Sequence, residues 1–376
     1  MTRSLKSALR FRPEGLTRYR TAVVVVALLV LTAGCSGFIG GDSPDADDAA
    51  PLDDIPAEAD GVLHFQTGVL TDSTTETLMD GLLERDAAEE TDAAIDAPES
   101  WEEILEEAEA ESDIDIDDIH SATMFGSGDA IEDQEEYSGV ILQTSLDWED
   151  FESAADEEVE TDDVEEDTYN GVTVYIEEDE FSEFDTWVAD FEDGTFAFGP
   201  EPVVRDVIDT RQGDAEGIDD ELRSTFEDAT DGYLTAAVTL TEDQSSAASD
   251  AAAKEAGIGE MFIPETEAMS MTYHTEGEQM NVEMDFVLQS TDEAETFTSF
   301  IEPIIEPPGA DDSPSPEEQP FEWLVDSVTL DSENERISVS FAATPEDLLA
   351  FFDALDDPAL MDDGFASHSG AVSTAD

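Results

Sequence analysis

The sequence predicts an α+β fold: an internally duplicated antiparallel sheet with helices packed on one face, each half running β-α-β-β-α-β-β-α. Three observations lead to this prediction. Apolar and polar residues alternate in several short segments, helix start signals follow many of them, and three stretches of the first half recur in the same order in the second. Strands joined by short turns pair antiparallel, and helices then cover the apolar face.

The alternation that predicts strands is clearest from Met280 to Leu288, where every second residue is apolar. A period of two is typical of a strand with one face in solvent and one in the core. The predicted strands are 61–67, 119–126, 137–145, 170–177, 186–191 and 195–199 in the first half, and 232–241, 267–275, 279–289, 323–331 and 335–342 in the second.

The predicted helices begin at N-terminal signals. Thr344 supplies a capping hydroxyl and Pro345 takes the first helical position, with two acids behind it. Ser145 and Thr291 take the equivalent place before the middle helices. The predicted helices are 73–84, 147–157, 201–210, 243–256, 292–303 and 345–355, with an added helix at 99–110.

The duplication rests on three ordered matches between the halves. Asp60-Gly61-Val62-Leu63 is echoed by Asp231-Gly232-Tyr233-Leu234, Leu142-Gln143-Thr144-Ser145 by Leu288-Gln289-Ser290-Thr291, and Pro200-Glu201 by Pro345-Glu346. The offsets agree if the first half carries an insertion at about 85–117. The sequence therefore predicts a first repeat at 60–230 and a second at 231–356 that contains a proline-rich loop at 306–320.

The N-terminus has the three parts of a secretion signal: basic residues, a short apolar core and small residues before a cleavage site. Residues 1–34 are the predicted signal peptide. The run Leu31-Thr32-Ala33-Gly34-Cys35 resembles the lipobox of bacterial and archaeal lipoproteins, and this resemblance implies lipidation of Cys35. A membrane-spanning anchor and a free thiol are the alternatives. Residues 35–59 are the predicted flexible acidic linker, and 357–376 a disordered tail.

The chain contains 100 acidic and 12 basic residues and has a net charge of −88. Six of the basic residues and one acid lie in 1–34, which leaves 99 acids against six bases, or −93. Such a chain repels itself at low salt, whereas at about 1 M salt the Debye length falls to about 3 Å. The composition indicates a halophile's extracellular protein with diffuse cations around it, and it excludes nucleic acid as a partner because nucleic acid is also a polyanion.

No motif with catalytic chemistry is present. The chain lacks His-Glu-x-x-His, Cys-x-x-Cys and Gly-x-Ser-x-Gly, so no catalytic, cofactor or metal residues are predicted and an enzyme is not expected. His64 and His274 are expected to face solvent on strands. Asp113–Asp118 spaces carboxylates as calcium loops do, but lacks the turn glycine and the closing glutamate. Residues 156–167 are expected to form a solvated acidic loop.

The run from Tyr169-Asn170-Gly171-Val172 through Asp193-Gly194 to Val207-Ile208-Asp209 resembles an exported, membrane-tethered bacterial and archaeal family known only as a domain of unknown function. The resemblance covers residues 60–240. It implies an envelope location and supports the fold, but brings no catalytic residues.

The sequence leaves two hypotheses about function. The favoured one is a non-enzymatic surface lipoprotein of a haloarchaeon, held on the extracellular face of the cell membrane by lipid on Cys35, with an envelope structural or protein-interaction role. Its possible partners are other envelope proteins. The alternative is a carrier or binding protein for an apolar ligand in a pocket of the curved sheet, lined by residues such as Met284, Phe286 and Phe341.

Overall fold

The computed structural model describes most of the region predicted to hold the two repeats. The predicted signal peptide, Cys35, the loop 306–320 and the tail 357–376 lie outside the described residues, as does most of the linker 35–59. The described residues are 49–89, 100–112, 114–127, 137–155, 164–177, 185–229, 231–241, 244–246, 266–305, 323 and 327–356.

Within the described residues, twelve strands form one antiparallel sheet, which confirms the α+β class. The strands β1 and β8 pair at its centre, and two arms extend outward in the orders β1-β2-β3-β7-β6-β5-β4 and β8-β9-β10-β12-β11. The bounds are β1 Gly61–Gln66, β2 Ile119–Gly126, β3 Ser138–Thr144, β4 Val164–Tyr169, β5 Val172–Glu177, β6 Thr186–Asp190, β7 Thr195–Pro200, β8 Leu234–Thr239, β9 Thr266–Glu276, β10 Gln279–Leu288, β11 Val328–Glu333 and β12 Arg336–Ala343.

The helices lie close to the predicted positions. Short 3₁₀ helices at Leu52–Asp54, Thr67–Thr71 and Ile116–Asp118 connect elements of the first half. The α-helices are α1 Ser73–Glu89, α2 Trp101–Ser112, α3 Trp148–Ala155, α4 Glu201–Gln212, α5 Asp220–Glu227, α6 Thr291–Ile305 and α7 Pro345–Asp356.

The start of α7 is confirmed. The Thr344 hydroxyl accepts a hydrogen bond from the backbone N–H of Asp347 at 3.2 Å, and Pro345 is the first helical residue. A different helix, α4, ends at Gly213, which takes the left-handed conformation with φ of 76°.

The caps of the two middle helices differ from the prediction. Asp147, and not Ser145, caps α3 by accepting from the N–H of Asp150 at 3.2 Å. At α6, Ser290 accepts from the N–H three residues on at 3.4 Å, and Thr291 is already helical. In both places the oxygen-bearing side chain immediately before the first helical residue satisfies the free backbone donor.

Helices cover both faces of the sheet, so the prediction of helices on one face is wrong. Adjacent residues of β3 show this, because side chains alternate between faces along a strand. Ile141 packs with α4 residues such as Val204, whereas Leu142 belongs to the cluster that includes Phe151 of α3. The face of Leu142 also carries α1, α2, α6 and α7, and the opposite face carries α4 and α5.

Among the described strands and α-helices, two were not predicted. Strand β4 occupies 164–169, the end of the segment expected to be a solvated loop, and pairs with β5 throughout its length. Helix α5 lies within the part of the first repeat that was left without an element, with Asp219 as its cap. Of the predicted helix 243–256, the structure describes only 244–246, which are helical.

His64 is not a solvent-facing histidine, contrary to the prediction. It is 3% exposed, and its Nδ1 lies 2.9 Å from the hydroxyl oxygen of Thr123 on the neighbouring strand. His274 is half-buried. The prediction was wrong for His64 because the face opposite the apolar residues of β1 is itself covered by helices.

The polar face of β10 also contains a buried group. The side chain of Asp285 is 8% exposed, and its carboxylate lies 3.3 Å from the Arg336 guanidinium. The hydroxyls of Ser338 and Ser270 donate to the same carboxylate. Arg336 also reaches Asp228, just beyond α5, at 2.8 Å. A basic group and two hydroxyls therefore stabilise this buried charge.

None of the helices within the described residues is long and apolar enough to span a bilayer.

Candidate functional site

The candidate site is an apolar pocket on the face of the first arm that carries α3. Its floor is one row of side chains across five neighbouring strands, in the order Met124, Val140, Phe198, Val188 and Tyr175. Directly paired residues point to the same side of a sheet, so this row forms a continuous apolar strip. The strip runs perpendicular to the strands.

Helix α3 forms a wall beside this strip. The indole of Trp148 stacks on the ring of Tyr175, with centroids 3.7 Å apart and planes 7° from parallel. One turn later, Phe151 packs edge-to-face on Phe196 with centroids 5.1 Å apart. These two aromatic pairs fix the helix against the sheet and place the indole at the edge of the pocket.

The loop before α3 is held by hydrogen bonds that determine where Trp148 lies. Thr144 donates from its hydroxyl to the carbonyl of Asp118 at 2.6 Å and accepts from the N–H of Leu146 at 3.1 Å. Asp147 then caps the helix. Trp148 is the first residue of the helix. Because hydrogen bonds fix the turn before it at both ends, its side chain extends from the helix in a defined direction.

A second row along the end of the sheet forms the rim of the pocket. It contains Ser138, Pro200, Thr186 and Glu177, each two residues from a floor residue on its own strand. The cavity between floor, wall and rim has a volume of about 290 Å³. That is the lower end of the range for small-molecule sites, and the mixture of an apolar floor with a few polar rim groups is typical of them.

The charges around the pocket are negative. Glu177 lines the rim, and Glu166 lies directly opposite Tyr175 on the edge strand. Two described arginines of the first half, Arg205 and Arg211, are on α4, across the sheet. Arg205 lies over the rings of Tyr169 and Trp187 at 4.8 and 5.0 Å, and Arg211 is ion-paired with two aspartates.

Ionisable groups beneath the pocket are partly removed from water. The Tyr137 hydroxyl donates to the Asp206 carboxylate at 3.0 Å. Burial raises the pKa of both groups, and the neighbouring carboxylate raises the pKa of Tyr137 further. Burial also raises the pKa of Asp54, which Arg211 partly offsets. These groups hold α4 in place and do not line the pocket.

The residues expected to line a cavity do not line this one. Met284 and Phe341 pack against the cluster formed with α7, where Trp323 lies 6.1 Å from Phe341 between ring centroids. Phe286 packs in the separate cluster that includes Phe297 of α6. The pocket therefore lies in the first half of the chain, whereas the cavity was expected in the second.

Of the acidic motif at 113–118, the structure describes 114–118, and Ile116–Asp118 form a 3₁₀ helix. Asp115 caps the 3₁₀ helix by accepting from the N–H of Asp117 at 3.0 Å, and the Asp118 carbonyl accepts from Thr144. Within the described part of the chain, no group of three or more acidic, histidine or cysteine side chains is arranged to hold a metal ion. Cys35, the predicted lipidation site, lies outside the described residues.

No protein-family model matches the sequence, and no curated protein matches it either. The fold is similar to solved structures of TP0453. Crystal form III has a TM-score of 0.41 at 10% identity, covering 81% of this chain and 98% of that one. Crystal form I has a TM-score of 0.41 at 12% identity, covering 83% of this chain and 99% of that one. Crystal form IV has a TM-score of 0.42 at 11% identity, covering 81% of this chain and 96% of that one. At these values the likeness assigns no function.

Proposed function

We propose that this protein is a lipid-anchored extracellular protein of a halophile that binds a small apolar ligand without catalysis. The observation that carries the proposal is the pocket with its floor of Met124, Val140, Phe198, Val188 and Tyr175 and its wall of Trp148. An apolar pocket of about 290 Å³ that opens to solvent and has a few polar rim groups is the kind of site that binds small molecules.

The anchor and the location are proposed from the sequence. Lipid on Cys35 would hold the folded region near the membrane through the acidic linker, at a distance of roughly 25 to 30 Å for a flexible chain of that length. The charge of −93 after residue 34 suits a surface in concentrated salt. A pocket so placed is near a source of apolar molecules.

We also propose that the fold arose by internal duplication. The two arms extend from the central β1–β8 pair in matching orders, with β8, β9, β10, β12 and β11 in the places of β1, β2, β3, β7 and β6. Within the residues that the structure describes, the hairpin β4–β5 has no counterpart in the second arm. Glu177, Tyr175 and Val164 of this hairpin line the pocket. The proposed site is therefore built partly from the hairpin that distinguishes the first arm from the second.

A role in envelope assembly through protein contacts is the second candidate. Its support is that the sheet ends in two edge strands, β4 and β11, each with an outer row of backbone groups that does not pair within the described sheet. Edge strands are templates for added strands, although the acids in both edges oppose simple self-pairing.

Titration with the uncharged dye N-phenyl-1-naphthylamine at about 2 M NaCl tests ligand binding. Wild-type protein is expected to bind about one dye per chain, and Val140→Phe, which projects a ring into the cavity, is expected to reduce the affinity at least tenfold. Val328→Phe on β11 is the matched control and should bind as wild type does. Equal binding by both variants would exclude the pocket as the dye site.

A further inference from the structure

The pocket has an aromatic wall and a carboxylate at the same end. Tyr175 and Glu177 are two residues apart on β5, so their side chains lie on the same face, and Trp148 covers Tyr175. Glu177 is paired across the ladder with Thr186, another rim residue. A ligand whose apolar part lies on the floor would place its other end beside this carboxylate and these rings.

An anion finds no opposite charge among the described residues at this end of the pocket. Among the lining residues that the structure describes, none is basic. Arg205 and Arg211 lie on the opposite face, where Arg205 pairs with Glu201 at 2.6 Å and Arg211 with Asp54 at 2.8 Å. A carboxylate or phosphate brought to the rim would lose water and approach Glu177, which costs free energy.

A cation would be stabilised at the same place by two independent effects. The Glu177 carboxylate supplies an opposite charge at the boundary of an apolar cavity, where the effective dielectric constant is lower than in water. Trp148 and Tyr175 stack face to face, so the aromatic surface that a ligand would contact is the outer face of this stack, and electron-rich aromatic faces attract quaternary ammonium groups. A short-range contact of this kind persists in concentrated salt, which removes only the longer-range attraction.

We propose that the ligand is a cationic amphiphile, with its apolar chain on the floor of the pocket and an ammonium group beside Glu177, Tyr175 and Trp148. This inference rests on the proposed function, because it names the class of ligand for the same pocket. It also identifies Glu177 as the residue that selects the charge of the ligand.

Three probes with the same octyl chain test the inference: octyltrimethylammonium, 1-octanol and octanoate. Their displacement of N-phenyl-1-naphthylamine is measured at about 2 M NaCl and below micelle formation, so that diffuse attraction to the acidic surface is suppressed. Wild-type protein should bind the ammonium probe about tenfold more tightly than octanoate. Glu177→Gln should bring the two within about threefold and leave 1-octanol unchanged.

Glu149→Gln is the matched control, because Glu149 is an exposed acid next to Trp148 that does not line the pocket. It should keep the wild-type ratio. Equal binding of ammonium and octanoate by wild-type protein, or a ratio that Glu149→Gln lowers as much as Glu177→Gln does, would overturn the inference. In either case, displacement of the dye by 1-octanol would leave the proposed function standing, whereas failure of all three probes would contradict that function itself.

Discussion

The indole of Trp148 and the ring of Tyr175 lie parallel, with centroids 3.7 Å apart, and join helix α3 to strand β5 across the wall of the pocket. The two residues are 27 positions apart and come from elements on either side of the acidic segment 156–163. The stack therefore contributes both to the packing of α3 and to the surface that a ligand would contact.

Trp148→Ala is expected to lower ligand affinity more than it lowers stability. The indole is half-buried, so its loss should reduce the free energy of unfolding by about 1–2 kcal/mol, while affinity for N-phenyl-1-naphthylamine falls about tenfold or more. Trp148→Phe should restore most of the binding. Urea unfolding and dye titration at the same salt separate the two effects, and unchanged dye affinity in Trp148→Ala would show that the wall is not part of the site.

Arg336→Ala is expected to destabilise the fold by about 3 kcal/mol, because it leaves the Asp285 carboxylate buried without its basic partner. Asp228→Asn removes the other partner of Arg336. That carboxylate is 62% exposed, so the second variant should cost less than about 1 kcal/mol. Urea unfolding of both variants gives the comparison. Equal losses of unfolding free energy would mean that the buried pair with Asp285 stabilises the fold no more than the exposed pair with Asp228 does.

Stability should decline at alkaline pH because of Tyr137. Burial and the Asp206 carboxylate raise the pKa of its hydroxyl, so the folded chain keeps a proton that the unfolded chain releases above about pH 10. The contribution is fully present below that pH and is lost as the pH rises further. Tyr137→Phe should make the free energy of unfolding less dependent on pH between about 9 and 11. An unchanged slope in urea titrations would contradict this assignment.

The folded state should require salt. With 100 acidic residues against 12 basic ones, mutual repulsion is strong at low ionic strength and is screened as the Debye length falls to about 3 Å near 1 M salt. We expect the thermal midpoint to rise by more than about 10 °C between 0.1 M and 2 M NaCl, measured by circular dichroism. A midpoint that is the same at both concentrations would contradict the halophilic interpretation.

Cys35→Ser is expected to release the protein from the membrane fraction into the medium, because the serine hydroxyl replaces the thiol to which lipid would be joined. Fractionation followed by immunodetection measures the distribution. Retention of the variant in the membrane would instead indicate an uncleaved spanning anchor, the alternative that the N-terminal apolar segment leaves open.

Local sequence patterns were sufficient to place most of the strands and helices. Alternation located β10, and the Thr344-Pro345 pair located the start of α7, because both signals act within a few residues. Strand β4 was missed because Val164-Glu165-Glu166-Asp167 has no apolar face. Its strand conformation comes from pairing with β5 at the edge of the sheet, which composition does not encode.

The sequence contains a signal that helices cover the sheet on both faces. Val140-Ile141-Leu142 and Phe196-Ala197-Phe198 are uninterrupted apolar runs, and such runs are typical of strands that are buried on both sides. The pocket had no comparable signal. Its floor joins Met124 to Tyr175 through residues of three other strands, and this row exists only once the order β2-β3-β7-β6-β5 is established.

The most direct test of the account is to isolate the protein from its own membranes in concentrated salt, extract it with organic solvent and quantify the bound molecules by mass spectrometry. Wild-type protein is predicted to carry close to one apolar molecule per folded chain. Val140→Phe, compared with Val328→Phe as the control, is predicted to lose it while remaining folded. An empty wild-type pocket, or the same molecule in equal amount on both variants, would contradict the claim that this pocket is a ligand-binding site.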